Sequence, residues 1–185
     1  MGWWHIRQAA RAMHQGGVIA YPTEAVWGLG CDPFNETAVY RLLAIKRRPV
    51  HKGLILVASS IQQIQPLLDN LAAEDRARVV ASWPGPVTWI LPDPDNLIPY
   101  WVKGNHDSVA VRVSDHYQVK NLCDAFGSMI VSTSANYSSK EAARDKLKVN
   151  IHFRDKVEMI VPGELGSLSR PTKIFRLDSD KPVRS

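Results

Sequence analysis

Hydrophobic residues at the start of the chain switch from helical to strand-like spacing. Apolar side chains within residues 6–13 recur at the spacing of one helix face, and two glycines follow at positions 16 and 17. This pattern predicts a first helix and its end. Residues 18–21 are an apolar run that ends at Pro22, which predicts a buried strand. Residues 23–33 contain two glycines and are predicted to be a loop at the end of that strand.

The alternation continues to residue 136 and weakens beyond it. Asn35 suits the N-cap of a helix whose apolar face covers residues 39–45. Further helices are predicted over residues 61–68, 72–82 and 116–126, strands over residues 54–58, 87–91, 108–113 and 129–132, weaker strands near residues 157–161 and 174–177, and a loop over residues 92–107. No repeat or linker divides this pattern. It predicts one α/β domain over residues 1–185, with an open, twisted, mixed sheet and helices packed on it.

A block of positive charge lies between a predicted helix and a predicted strand. Residues 41–52 contain five lysines and arginines and no acid. Held between ordered elements, such a block can bind a phosphate chain by charge-assisted hydrogen bonds. It can equally be a solvated basic face or a patch for nucleic acid, and charge alone favours that interpretation. The net charge of +5 indicates an anionic partner, whether nucleotide or RNA.

Polar residues at strand ends are the other candidates for a site, because open α/β sheets bind ligands beyond the carboxyl ends of their strands. Thr23, Glu24, the basic block, Arg112 and residues 132–136 lie at or near such ends, and we expect them to converge. Arg112 stands in a strand of valines, so if buried it needs an anion. A ligand and an internal Asp or Glu are equally good partners. The Ser/Thr/Asn run, taken alone, is also explained as an ordinary strand exit.

Composition and missing motifs argue against several classes of protein. No apolar run approaches the length of a membrane span, and the N-terminus lacks the apolar region of a secretory signal, so a cytoplasmic location is expected. Cys31 and Cys123 have no CxxC spacing and are predicted to be buried thiols. There is no GxxxxGK[ST] P-loop, GxSxG elbow or HExxH motif. Metal ligands are left unassigned.

Taken together, five segments resemble the YrdC/TsaC family more specifically than any one of them does. In the family's order they are YPTEAVWGLG (21–30), KRRPVHKGLIL (46–56), WPGPVT (83–88), SVAVRVSDH (108–116) and VSTSAN (131–136). The similarity is firm over residues 18–136, and PTKI (171–174) looks like an altered form of the family's PSTI. The chain resembles the short, single-domain bacterial members, which are threonylcarbamoyl-AMP synthases, and a YrdC-like fold is implied.

The resemblance implies an enzyme, a nucleotidyltransferase that joins L-threonine, bicarbonate or CO2 and ATP into threonylcarbamoyl-adenylate and releases pyrophosphate. The product would serve the threonylcarbamoyladenosine modification of tRNA, together with the partner proteins of that pathway. ATP is then a substrate, and Mg2+ on its phosphates is expected. The alternative is a non-catalytic RNA-binding module for tRNA or rRNA maturation, which would use the same basic cleft for tRNA or double-stranded RNA.

The family's KxR and SxN signatures place roles on individual residues. By resemblance, ATP would be bound by Lys46, Arg48, Lys52, Ser108, Ser134 and Asn136, of which Lys46 and Arg48 would be catalytic. Threonine would be bound by Thr23, Arg112, Ser132 and Thr172. The chain departs from the family pattern at Ala25, where many relatives carry threonine, and at Ser139, where glycine commonly follows the SxN signature.

Overall fold

Helices and strands alternate along most of the chain. The computed structural model describes residues 2–138, 140–179 and 181–183, so the departure at Ser139 lies outside the described residues. The helices are α1 (Trp3–His14), α2 (Glu36–Lys46), α3 (Gln65–Leu68), α4 (Ala73–Ala81), α5 (Tyr100–Lys103), α6 (Tyr117–Phe126) and α7 (Lys146–Phe153). The strands are β1 (Ile19–Pro22), β2 (Trp27–Gly30), β3 (Ile55–Ala58), β4 (Val87–Pro92), β5 (Ser108–Val113), β6 (Ile130–Ser134), β7 (Met159–Ile160) and β8 (Lys173–Arg176). Val50–Lys52 and Ile61–Ile64 form 3-10 turns.

All of these strands belong to one mixed sheet, which confirms the predicted fold class. Their order is β7-β1-β2-β6-β3-β5-β4-β8. Strand β6 runs antiparallel to both of its neighbours, β2 and β3, whereas β3 and β5 are parallel. The carboxyl end of β6 therefore lies beside the amino end of β3, and this pairing decides where the polar segments meet.

Two apolar layers cover the two faces of the sheet. On one face, α1 and α6 pack against Tyr21 and Val57. On the other face, α2 contributes Leu42 and Leu43 to a larger core that includes Leu56. Both cysteines are buried and free, as predicted. Within the described part of the chain, no helix combines the length and the apolar character that a membrane crossing needs.

The glycine-containing segment predicted to be a loop is instead strand β2, which pairs antiparallel with β1. Its glycines allow close approach between strands. A Cβ on Gly30 would lie 2.6 Å from the carbonyl oxygen of Val131, and one on Gly28 would lie 3.1 Å from Cγ2 of Thr23. A glycine that serves close packing looks the same in sequence as one that forms a turn.

The structure adds helices that the sequence pattern did not predict and divides one that it did. Helix α5 interrupts the predicted loop over residues 92–107, and α7 lies in the polar region after residue 136. Helix α7 buries only Val149 and Phe153, and Asp145 caps it by accepting a hydrogen bond from the backbone N–H of Lys148 at 2.7 Å. The helix predicted over residues 61–68 is split into a 3-10 turn and α3, where Pro66 lacks the N–H of a regular helix.

We predict that Leu56→Ala lowers the free energy of unfolding by about 2–5 kcal/mol, because Leu56 is fully buried in the central strand β3 and its truncation leaves a cavity. Leu147→Ala is the matched control, since Leu147 is 69% exposed and should change stability by less than about 0.5 kcal/mol. Urea unfolding of both variants measures the difference. Equal destabilisation by the two variants would contradict this account of the core.

Candidate active site

A cavity of about 380 Å3 opens where β1 and β6 end and where β2 and β3 begin. The turn between β1 and β2, the end of α2, the basic block, strands β5 and β6 and the C-terminal tail all contribute to its wall. The lining residues predicted from the sequence are Thr23, Lys46, Arg48, Arg112, Ser132, Ser134, Asn136 and Thr172. The predicted convergence is therefore observed, although the basic block enters from the amino end of β3 and not from a carboxyl end.

Lys46, the last residue of α2, is buried at the cavity wall. Its Nζ donates hydrogen bonds to the carbonyl oxygen of Asn136 at 2.9 Å, to Oδ1 of Asn136 at 3.1 Å and to the carbonyl oxygen of Ser134. Burial, with a contribution from the positive charge of Arg48, lowers the pKa of the Lys46 amine to about 7. Because three oxygens surround Nζ, the amine has a fixed position at the cavity.

Arg47 ends α2 in the left-handed conformation, with φ of 52°. The turn is closed by hydrogen bonds from the Arg47 N–H to the Ala44 carbonyl at 3.0 Å and from the Arg48 N–H to the Leu43 carbonyl at 2.9 Å. A non-glycine residue is uncommon in this conformation. The sharp bend directs Lys46 and Arg48 to the same cavity, whereas the Arg47 guanidinium lies 5.4 Å from the ring centroid of Tyr137.

Arg48 fixes the shape of the basic block as well as lining the cavity. Its Nε and Nη2 donate to the carbonyl oxygen of Gly53 at 3.2 and 2.8 Å, and Nη2 also donates to the carbonyl oxygen of Lys52. Gly53 has a φ of 61°, and a Cβ there would lie 2.6 Å from the Lys103 carbonyl oxygen. Glycine at this position therefore lets the block fold tightly beneath Arg48.

Ser134 and Asn136, the SxN pair, form a small hydrogen-bonded unit. The Ser134 hydroxyl donates to Oδ1 of Asn136 at 2.6 Å, the same oxygen that accepts from Lys46. The Asn136 amide in turn donates to the carbonyl oxygen of Lys140. Lys140 also lines the cavity, and the sequence analysis missed it because the region after Asn136 shows little periodicity.

Arg112 differs from Lys46 in that its partner is an acid. It is buried, and its Nη2 lies 3.2 Å from Oε2 of Glu24. Of the two partners that the sequence left open, the internal acid is thus present. Arg112 nevertheless lines the cavity, so the ion pair does not remove the guanidinium from the site.

The remaining residues predicted to bind threonine line the same cavity as Arg112. The Thr23 hydroxyl donates to the Val26 carbonyl oxygen at 2.7 Å, which closes the turn between β1 and β2. The Ser132 hydroxyl accepts from the Tyr21 hydroxyl at 2.7 Å, and burial raises the pKa of Tyr21. Tyr21 was not recognised as a supporting residue, because an aromatic residue in a buried strand usually serves packing alone.

The C-terminal tail crosses the turn between β1 and β2. The Gly166 N–H donates to the Thr23 carbonyl at 3.0 Å, and the Leu168 N–H donates to the Glu24 carbonyl at 3.2 Å. Further along, Pro171 and Thr172 line the cavity, and Thr172 is buried. The altered PTKI segment therefore still reaches the site.

Lys52 and Ser108 do not line this cavity. Lys52 is exposed in the 3-10 turn Val50–Lys52, and Ser108 lies at the start of β5, opposite Pro92. Ser108 lies four positions before Arg112 on the strand, roughly 13 Å away at the usual rise. A role for these two residues in ATP binding stays a prediction.

The described residues that line the cavity include no carboxylate that could bind a metal ion. No aspartate or glutamate is among the described residues that line the cavity. Across the described ranges, no group of three or more His, Cys, Asp or Glu side chains could hold a metal ion.

Comparison with known proteins decides the family. The family model named Sua5_yciO_yrdC and described as "Telomere recombination" matches residues 11–184. The chain belongs to this family. Threonylcarbamoyl-AMP synthase from Pseudomonas entomophila is 51% identical over 181 residues, covering 98% of this chain and 97% of the relative. The enzyme of the same name from Pseudomonas aeruginosa PAO1 is 53% identical over 176 residues, covering 95% and 94%.

Solved structures support the same assignment. P. abyssi Sua5, solved in complex with L-threonine, has a TM-score of 0.89 and 31% identity, and the match covers 98% of this family member but 53% of Sua5. The chain thus spans about half the length of that protein. YciO from E. coli has a TM-score of 0.83 at 24% identity, which shows the shared fold alone.

We predict that the stability of the protein rises with pH above about pH 7 relative to the Lys46→Met variant. The pKa of Lys46 falls from 10.5 in the unfolded chain to about 7 in the fold. Between these values the unfolded state binds more protons, so the free energy of unfolding increases with pH, by at most about 1.4 kcal/mol per pH unit. Below the folded pKa the difference between the two proteins should be constant.

Urea unfolding of both proteins between pH 6 and 9 measures this difference. A difference that stays flat over the whole range would contradict the prediction. It would show that the three acceptor oxygens around Nζ keep the ammonium form of Lys46.

Proposed function

We propose that this protein is a threonylcarbamoyl-AMP synthase, which makes threonylcarbamoyl-adenylate and pyrophosphate from L-threonine, bicarbonate or CO2 and ATP. The observation that carries the proposal is a single cavity lined by Lys46, Arg48 and the SxN pair together with the buried Arg112. Relatives of 51% and 53% identity carry this enzyme's name. The threonine complex of P. abyssi Sua5 also supports an amino acid ligand.

Threonine would bind with its carboxylate on Arg112, whose planar fork suits a carboxylate better than a lysine would. Thr23 and Ser132 line the same cavity and would supply hydroxyl groups to the rest of the amino acid. Thr172 of the tail would complete this part of the wall. These roles assign all of the predicted threonine-binding residues to one region.

ATP would bind with its phosphates near Lys46 and Arg48 and near the Ser134 and Asn136 side chains. Each of these residues lines the cavity. Arg48 can make charge-assisted contacts to phosphate oxygens. Nζ of Lys46 already donates to three protein oxygens, so it would exchange one of these hydrogen bonds for a phosphate oxygen. Lys52 and Ser108 would join only if the nucleotide extends beyond the cavity. Mg2+ would arrive on the phosphates, because the lining offers it no carboxylate.

The reaction needs positioning and charge neutralisation from the protein. The neutral amine of threonine adds to CO2, which bicarbonate supplies by losing hydroxide, and the amine loses a proton to give a carbamate. A carbamate oxygen then attacks the α-phosphorus in line, and the bond to pyrophosphate breaks. Lys46 and Arg48 would offset the negative charge on the phosphates during this step. No covalent bond to the enzyme is required.

The product would be passed to the tRNA threonylcarbamoylation pathway and its partner proteins, with the reaction placed in the cytoplasm. The comparisons support this enzymatic proposal and give no support to a non-catalytic RNA-binding module. The two functions make different predictions for purified protein, so one assay separates them.

We expect pyrophosphate release from ATP and Mg2+ that requires both threonine and bicarbonate. A coupled pyrophosphate assay, with each substrate omitted in turn, measures this requirement. Release without threonine would indicate a different ATP-using reaction. Absence of release, together with RNA binding that weakens steeply as salt rises, would favour the RNA-binding module, since phosphate contacts by lysine and arginine release counterions.

Lys46→Ala and Arg48→Ala should each lower turnover by about ten- to a hundredfold, because each removes a charge-assisted contact. Arg76→Ala is the control: Arg76 lies on α4, outside the lining, and its side chain is paired with Asp69 at the surface. The same assay compares the three variants. Wild-type turnover in Lys46→Ala and Arg48→Ala would overturn the assignment of the phosphate site.

A further inference from the structure

The carboxylate of Glu24 lies behind Arg112 and outside the cavity lining. Both side chains are buried, and Oε2 of Glu24 lies 3.2 Å from Nη2 of Arg112. A buried guanidinium without a counter-charge is strongly destabilising. Glu24 therefore supplies the counter-charge that lets the guanidinium of Arg112 be buried before any substrate carboxylate has entered.

Glu24 is itself held from three sides. The Ser114 hydroxyl donates to Oε1 of Glu24 at 2.6 Å, and the oxygen of that hydroxyl accepts from the His116 N–H at 3.1 Å. The backbone carbonyl of Glu24 accepts from the Leu168 N–H of the tail at 3.2 Å. Ser114, which follows β5, thus orients the carboxylate relative to Arg112, and the tail holds the backbone of Glu24.

The ion pair of Arg112 and Glu24 leaves hydrogen-bonding groups of both side chains without partners in the described part of the chain. Nε of Arg112 and Oε2 of Glu24 are buried, and neither has a hydrogen-bond partner among the described residues, although Oε2 is close to Nη2. A guanidinium has five N–H donors, so one carboxylate oxygen cannot satisfy it. The unmet donors of a buried arginine favour a second anion.

We propose that Glu24 is a positioning residue, which holds the orientation of Arg112 so that the guanidinium receives the carboxylate of the amino acid substrate in the cavity. The inference rests on the proposed function, in which Arg112 binds that carboxylate. Glu24 touches no substrate in this scheme. It acts through Arg112, and Ser114 acts through Glu24.

Glu24→Gln tests the proposal with little change in volume. The neutral amide removes the counter-charge of Arg112 whichever way it is turned. If its oxygen still accepts from Ser114, its NH2 also faces Nη2 of Arg112, donor against donor, and the guanidinium loses its orientation. We expect the KM for threonine to rise about tenfold or more, with the KM for ATP and kcat changed by less than about twofold. Calorimetric titration with threonine in the absence of ATP should show the same loss of affinity.

Two further variants keep the result interpretable. Ser114→Ala removes the hydroxyl that orients Glu24 and should raise the KM for threonine in the same direction by a smaller factor. Glu158→Gln is the matched control, because Glu158 pairs with Arg41 and accepts from the Val18 N–H, outside the cavity lining. It should leave the KM for threonine at the wild-type value.

The outcomes separate this inference from the proposed function. If Arg112→Ala leaves threonine affinity unchanged, the assignment of Arg112 falls and the inference falls with it. If Arg112→Ala weakens threonine binding but Glu24→Gln and Ser114→Ala do not, the inference alone is overturned. It is also overturned if the variants change both KM values and kcat together, as a merely structural role would. Should Glu24→Gln fail to fold, Ser114→Ala decides.

Discussion

The buried ammonium group of Lys46 joins segments that are far apart in sequence. Its Nζ binds two carbonyl oxygens and a side-chain oxygen beyond β6, and the Ser138 N–H returns a hydrogen bond to the Lys46 carbonyl at 2.9 Å. Removing a cation from water costs several kcal/mol unless such partners offset it. The cationic end of α2 and the exit of β6 therefore hold each other in place, and the wall of the cavity depends on both.

The cavity places basic groups around its ligands and keeps the compensating acid out of contact with them. Lys46 and Arg48 reach it from α2 and the basic block, and Arg112 reaches it from β5. Glu24 neutralises Arg112 from outside the lining. An amino acid carboxylate and a phosphate chain can then both find cations without meeting a fixed carboxylate, which would repel them.

Periodicity was sufficient for the elements with regular apolar faces. Helices α1, α2 and α6 and the mixed sheet follow from it. It failed for β2, whose glycines serve close packing, and for α7, which buries only two residues. Family motifs named eight of the residues that line the cavity but also Lys52 and Ser108, which lie outside it. The partner of Arg112 depends on the three-dimensional position of Glu24, and no local pattern encodes that position.

Because the tail crosses the turn between β1 and β2, the site can be completed only after nearly the whole chain has been synthesised. The cavity wall is built from residues between Thr23 and Thr172, and residues 166 and 168 bind the backbone of Thr23 and Glu24. Contacts between such distant parts of a chain form late in folding. A nascent chain on the ribosome would therefore hold most of the core, yet it would have no complete site until residue 172 had emerged.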